Sequence, residues 1–264
     1  MTNISSTGTE PLVAAATILL LTACASDQSN TNGCAFPDPP TIVRQDGNTI
    51  LQVWMIPETE VLSSTLLPAD SAFMEYRRAI EAAGADLRRP IADPPQPAND
   101  AERQMWADEA TNVDVAFGGD AGSVRPIQCL VALLFAYQNA RYPQLTHPTE
   151  FIASILRRRI DDEVVLKIYF VASDQMFPPM SILGFDEIEK NVAEGWEFWT
   201  LLHNHTVQEN QGEPALGVPA PSTSDVDLLR WLAEGSGLQN AWVTNGFYTI
   251  EISARAFDRY LGRR

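Results

Sequence analysis

The stretch that most constrains this chain lies between residues 196 and 225. An apolar run, Trp196-Glu197-Phe198-Trp199-Thr200-Leu201-Leu202, leads into His203-Asn204-His205, a polar loop, and then Pro221-Ser222-Thr223-Ser224-Asp225. The run is short and aromatic-rich and reads as a buried strand. Side chains alternate along a strand, so His203 and His205 share a face while Asn204 points away. Ser222-x-x-Asp225 reads as a helix N-terminus, with Ser222 as N-cap and Asp225 near the positive end of the dipole. Together they offer two imidazole nitrogens and one hard oxygen, with a fourth position open. That is the ligand set of a hydrolytic zinc site. A His-x-His pair alone is a weak signal, and the helix cap needs no metal. The combination across one strand–loop–helix unit carries the weight.

Charge narrows the partners. The formal net charge of −16 argues against a nucleic-acid partner, since phosphates would be repelled. An apolar content of 45% is enough for a substantial core without staples. At 264 residues the chain is one large domain or one domain with an extension. Its 18 prolines cluster outside the periodic segments and mark loops and linkers.

The N-terminus has its own pattern. An apolar run from Leu12 to Leu21 ends in Leu21-Thr22-Ala23-Cys24 and resembles a bacterial lipobox, in which Cys24 becomes the lipidated first residue. The run is short for a transmembrane helix, and Glu10 rather than Lys or Arg precedes it. Residues 1–24 are therefore expected to be a lipoprotein signal peptide and 25–45 a flexible tether. Ala25 after the cysteine points, by analogy, to the outer membrane on its periplasmic face. Export would place Cys34 and Cys129 where a disulfide is permitted, and with Cys24 consumed they are the pair that remains.

Along the chain, residues 49–56 read as a strand ended by Pro57, and 69–87 as a helix with Asp70 at its N-cap. A Pro-rich connector at 89–97 precedes a short helix capped by Asn99 or Asp100 and running to Asp108. A strand is expected at 113–117. Residues 127–140 are apolar almost all round, consistent with a buried helix, although 129–135 also has the form of a strand. Residues 151–156 and 164–171 read as strands, with Arg157-Arg158-Arg159 placed in the charged hairpin turn between them. Helices follow at 186–194 and 224–234, strands at 241–244 and 247–252 around Asn245-Gly246, and a last helix at 254–261. Strands broken by single helices imply a mixed α/β layered fold. The expected division is an N-terminal subdomain or extension at 46–120 and a catalytic domain at 121–264.

The order of residues resembles the JAMM motif of the JAB1/MPN metalloprotease family: an upstream Glu, then His-x-His, then Ser-x-x-Asp. In that family the Glu follows a Pro-x-Glu pattern before a short apolar strand, and Pro148-Thr149-Glu150 before residues 151–156 has that form. Ile152-Ala153 replaces a small Cys-Gly, Arg replaces the glycine that closes the strand, and Thr206 stands where a proline often follows the second His. The loop from Thr206 to Pro221 is longer than usual. The resemblance covers residues 124–261. It implies a JAB1/MPN-like, cytidine-deaminase-like layered α/β fold: a mixed, mostly antiparallel sheet flanked by helices. It further implies Zn2+ held by His203, His205 and Asp225, Glu150 as general base and acid, and Ser222 as oxyanion donor. The implied reaction is hydrolysis of a peptide or isopeptide bond in a peptide or protein substrate by a metal-activated water. The alternatives are a non-catalytic binding or scaffold lipoprotein of the same fold, or a hydrolase of cell-wall peptide amides.

Overall fold

A computed structural model describes residues 34–82, 98–119, 121–205 and 217–263. The expected signal peptide with Cys24, the Pro-rich connector at 89–97 and most of the 206–221 loop fall outside the described residues.

The strands are β1 (Thr41–Asp46), β2 (Thr49–Pro57), β3 (Ser123–Pro126), β4 (Ile152–Ile160), β5 (Glu163–Ala172), β6 (Glu197–Asn204), β7 (Asn240–Thr244) and β8 (Tyr248–Ser253). The helices are α1 (Glu58–Leu62), α2 (Ser71–Ala82), α3 (Asp100–Phe117), α4 (Cys129–Arg141), α5 (Phe185–Ala193) and α6 (Thr223–Ser236). All eight strands form one sheet in the order β1-β2-β5-β4-β6-β7-β8-β3. Every pairing is antiparallel except β6–β7. The β6–β7 crossover is α6, as a parallel pair requires a long connection. The architecture is thus mixed α/β, a mostly antiparallel sheet flanked by helices.

Strand periodicity divides the core in two. Phe151, Ala153 and Ile155 of the β4 segment, Ile168 and Phe170 of β5, and Leu202 of β6 pack with α2 and α4 on one face. Leu156, Val171, Leu201 and Val243 pack on the other, with Ile188 of α5 and Val226, Leu229 and Leu232 of α6. A register shift where Ile155 pairs with Thr200 but Leu156 with Phe198 leaves Trp199 as the extra residue, a bulge in β6. Beyond it the alternation runs unbroken: Leu201 toward α6, Leu202 toward α4. By the same parity His203 faces α6 and Asn204 the opposite side.

Several expectations change. The division at 120/121 is not a boundary in the fold. β2 pairs with β5 over Ile50–Pro57, and residues 33–264 form one compact unit. The apolar alternation of β2 buries Leu51, Trp54 and Ile56 in the sheet's own cores, so the segment cannot stand apart. Residues 41–45, expected in a tether, are instead part of β1 (Thr41–Asp46), paired with β2. Cys34 and Cys129 form a disulfide with Cα atoms 5.4 Å apart, tying the described N-terminal end to the start of α4.

The strand expected at 113–117 is instead the continuation of α3. Asp108, Asn112 and Ala116 recur at helical spacing on its buried side, and Asn112 bonds both backbone groups of Leu261. The arginines belong to β4 rather than a turn; Arg157 reaches Glu58 of α1 at 2.8 Å. The turn is confined to Asp161-Asp162, Asp161 taking a left-handed φ of 52°. The last helix is a short 3-10 segment, Ala254–Arg259. β3 answers no strand expected from the sequence.

Candidate metal centre

His203 and His205 stand at the end of β6, and Asp225 in the first turn of α6 on the face they share. The Nε2 atoms of the two histidines are 3.1 Å apart. Asp225 Oδ2 lies 3.3 Å from His203 Nε2 and 3.2 Å from His205 Nε2. Zinc with ligand bonds of ~2.0–2.1 Å in a tetrahedron separates its ligand atoms by about 3.3–3.4 Å. The triangle of ligand atoms therefore fits one tetrahedral face, leaving a fourth corner for water or substrate. Among the described residues, these three are the His/Cys/Asp/Glu group whose ligand atoms converge in this way.

Hydrogen bonds aim the ligands. His205 Nδ1 is 2.9 Å from the Val218 carbonyl, which can only accept, so Nδ1 carries the proton and Nε2 presents its lone pair to a metal. Asp225 is held by a capping box: Ser222 Oγ accepts from the Asp225 N–H at 3.1 Å, and Asp225 Oδ2 accepts from the Ser222 N–H at 2.7 Å. The structural and chemical readings of Ser222-x-x-Asp225 thus coincide. The cap that starts α6 points the carboxylate at the imidazoles. Ser222 Oγ uses a lone pair in this bond, so its own proton is left to donate.

The electrostatics suit an ion. Burial opposes the Asp225 charge, but His203 and His205 hold its carboxyl well below the usual range. Burial likewise opposes a charged His205, yet the bond to Asp225, the Asp225 and Glu150 charges and the Val218 carbonyl push it up to about 9. At neutral pH the shifts thus pair a charged His205 imidazole with the Asp225 carboxylate.

Glu150 is brought to the same site. Burial raises its carboxyl to about 7, with His205 and His203 pulling it down and Asp225 pushing it up. A group poised near neutrality takes and returns protons well. Glu187 of α5, nearer to the histidines in sequence, is instead engaged with Arg44 at 2.7 Å.

Two contributors were not visible in the sequence. Glu109, on α3, accepts from both the N–H and the hydroxyl of Thr223, at 2.9 and 3.0 Å. Burial raises its carboxyl, Thr223 lowers it, and Asp225 and His205 also act on it. No spacing rule links position 109 to a motif more than ninety residues away. The other is Asn204, read only as pointing away; its side chain bonds the backbone on both sides of Glu150. The third histidine, His147, plays no part and bonds the Asp174 carbonyl.

Comparison of the chain with protein-family models, with curated proteins and with solved structures finds no match. The chemistry of the site therefore rests on its own geometry.

Proposed function

We propose that the protein is a zinc-dependent hydrolase of peptide or isopeptide bonds, of the JAB1/MPN kind. The observation that carries this reading is the triangle of His203 Nε2, His205 Nε2 and Asp225 Oδ2, with edges of 3.1–3.3 Å, on a site that also holds the Glu150 carboxyl. Zinc in such a ligand set supplies Lewis acidity and a water that is nucleophilic near neutral pH. Glu150 accepts the proton of the attacking water and returns it to the leaving nitrogen. The Ser222 hydroxyl, its lone pair engaged with Asp225 N–H, donates toward the oxygen of the scissile carbonyl as charge develops there. His205, locked by Val218, keeps its ring plane fixed through the cycle. An orienting bond of this kind typically supports metal affinity by 10–100-fold.

The test uses a quenched-fluorescence peptide library with the zinc-loaded protein, the chelated protein and Glu150→Gln. Cleavage that needs zinc and falls about 10²–10⁴-fold in Glu150→Gln supports the reading. Cleavage indifferent to both contradicts it.

The same reading places the protein in the bacterial cell envelope, anchored to the membrane by lipid on Cys24. The Cys34–Cys129 disulfide supports an oxidising compartment. Among the described residues no helix is long and apolar enough to cross a membrane. Mass spectrometry of envelope-derived protein should find a diacylglyceryl group on a chain beginning at Cys24; an unlipidated chain with intact Met1 would rule this out.

A further inference from the structure

Building on the hydrolase reading for its kinetic consequence, we propose that Asn204 is a positioning residue whose side chain sets the place of the Glu150 carboxyl. The two imidazoles of His203-Asn204-His205 face α6, and the residue between them is turned into the opposite core, where it is fully buried. An amide in that position must find partners for a donor and an acceptor. It finds them in the main chain flanking Glu150. Asn204 Oδ1 accepts from the Phe151 N–H at 2.6 Å, and Nδ2 donates to the Thr149 carbonyl at 3.1 Å. A carbonyl accepts and an N–H donates, so these partners fix which end of the amide is which.

The register explains why a side chain is used. The last β4–β6 pair is Ile152 with His203, and residues 149–151 lie beyond the end of β4. Glu150 would therefore sit on a segment without a ladder. The Asn204 amide bridges that gap, bonding residues 149 and 151 as a neighbouring strand would. The Glu150 N–H is bonded in turn to the Met176 carbonyl at 2.9 Å, and the Thr149 N–H to Gln144 Oε1 at 3.3 Å. With residues 149 and 151 clamped on the α4 face, parity sends the intervening side chain to the face of His203 and His205. One residue type thus couples the ligand strand to the proton acceptor: any shift of β6 carries Glu150 with it.

Only a short planar side chain with one donor and one acceptor can make both bonds. Asn204→Ala removes both; Asn204→Ser, smaller and still polar, cannot span both groups and serves if the alanine variant folds poorly. The first measurement is backbone amide exchange by NMR on the zinc-loaded protein. Phe151 protection should fall about tenfold or more in either variant while β5 amides keep theirs, a local rather than global loss. Zinc content should stay at the wild-type level. On the peptide library, kcat should fall about 10–10²-fold with KM nearly unchanged, the usual cost of misplacing a reacting group by about 1 Å.

The decisive comparison is a cycle with Glu150→Gln. If Asn204 acts through Glu150, adding Asn204→Ala to Glu150→Gln should cost no more than about twofold further. A full multiplication of the two losses, or undiminished Phe151 protection in Asn204→Ala and Asn204→Ser, would overturn the proposal. A wild type that cleaves nothing would overturn the hydrolase reading instead, and Phe151 exchange would still decide whether the clamp exists.

Discussion

Glu109 of α3 and Thr223 of α6, 114 residues apart in sequence, meet beside the candidate metal centre. A single carboxylate oxygen of α3 takes both the first N–H of α6 and the neighbouring hydroxyl, at 2.9 and 3.0 Å. The N–H groups of a first helical turn have no partners within the helix. Here Glu109 serves Thr223 and Ser222 serves Asp225, so the helix that carries the candidate ligand Asp225 begins with two of these donors occupied. Glu109→Ala leaves the buried Thr223 donors without their acceptor. It should lower stability by about 1–3 kcal/mol in urea unfolding, with zinc stoichiometry retained. No loss of stability would mean that the contact contributes nothing to the start of α6.

Ser222 separates capping from catalysis. Ser222→Ala should cost about 1 kcal/mol of stability as a lost cap. Zinc should still bind, because the Ser222 N–H that holds Asp225 Oδ2 belongs to the backbone. Turnover should fall much further, about 10²–10³-fold, if the hydroxyl donates to the developing oxyanion. A rate within about threefold of wild type would confine Ser222 to capping, since a lost oxyanion donor costs far more.

The proton on His205 makes metal binding depend on pH. With its imidazole pushed up to about 9, the metal-free site is protonated at neutral pH and zinc must displace that proton. Apparent zinc affinity, read by competition with a chromophoric chelator, should weaken about tenfold for each pH unit below 9. Stability follows the same group. A folded-state pKa raised from 6.5 to about 9 contributes stability that is full below 6.5 and lost as pH rises through 9. The chelated protein should lose stability across that window and the zinc-loaded protein should not show the same loss. A pH-independent affinity would contradict the protonated metal-free site.

The disulfide spans 95 residues of sequence. Cross-links over loops of that size typically stabilise by 2–4 kcal/mol. Cys34→Ser with Cys129→Ser should lower Tm by about 4–16 °C, at about 2–4 °C per kcal/mol for a chain of this size. Unchanged melting, or two freely alkylated thiols in unreduced envelope-derived protein, would contradict the pairing.

How much of this could be read in advance follows from the range of the interactions. β2, β5, α2, α6 and the start of α3 were legible because periodicity and caps are local: Asp70 Oδ1 does accept from Phe73 N–H at 2.7 Å, and Asn99 caps α3 through Glu102 N–H at 2.9 Å. The His203, His205 and Asp225 arrangement was legible because strand parity and helix capping each fix a direction. Residues 113–117 misled because Val113, Val115 and Phe117 alternate like a strand. In the fold they continue α3, whose buried side carries the nonlocal Asn112–Leu261 bonds and whose Val113, Val115 and Phe117 pack against the core. β3 was missed because its four residues acquire strand form only by pairing with β8. The place of 46–120 was missed because antiparallel partners β2 and β5 lie more than a hundred residues apart. Glu109 and Asn204 share that cause: their roles are hydrogen bonds to backbone distant in sequence.

The central claim is that one metal ion is held by His203, His205 and Asp225. The most direct measurement is zinc per chain by elemental analysis of purified protein, wild type beside His203→Ala, Asp225→Ala and Glu150→Gln. The account predicts about one zinc per chain in wild type and in Glu150→Gln, because Glu150 is not a ligand, and loss in the other two. Equal zinc in all four proteins, or none in the wild type after loading, would contradict it.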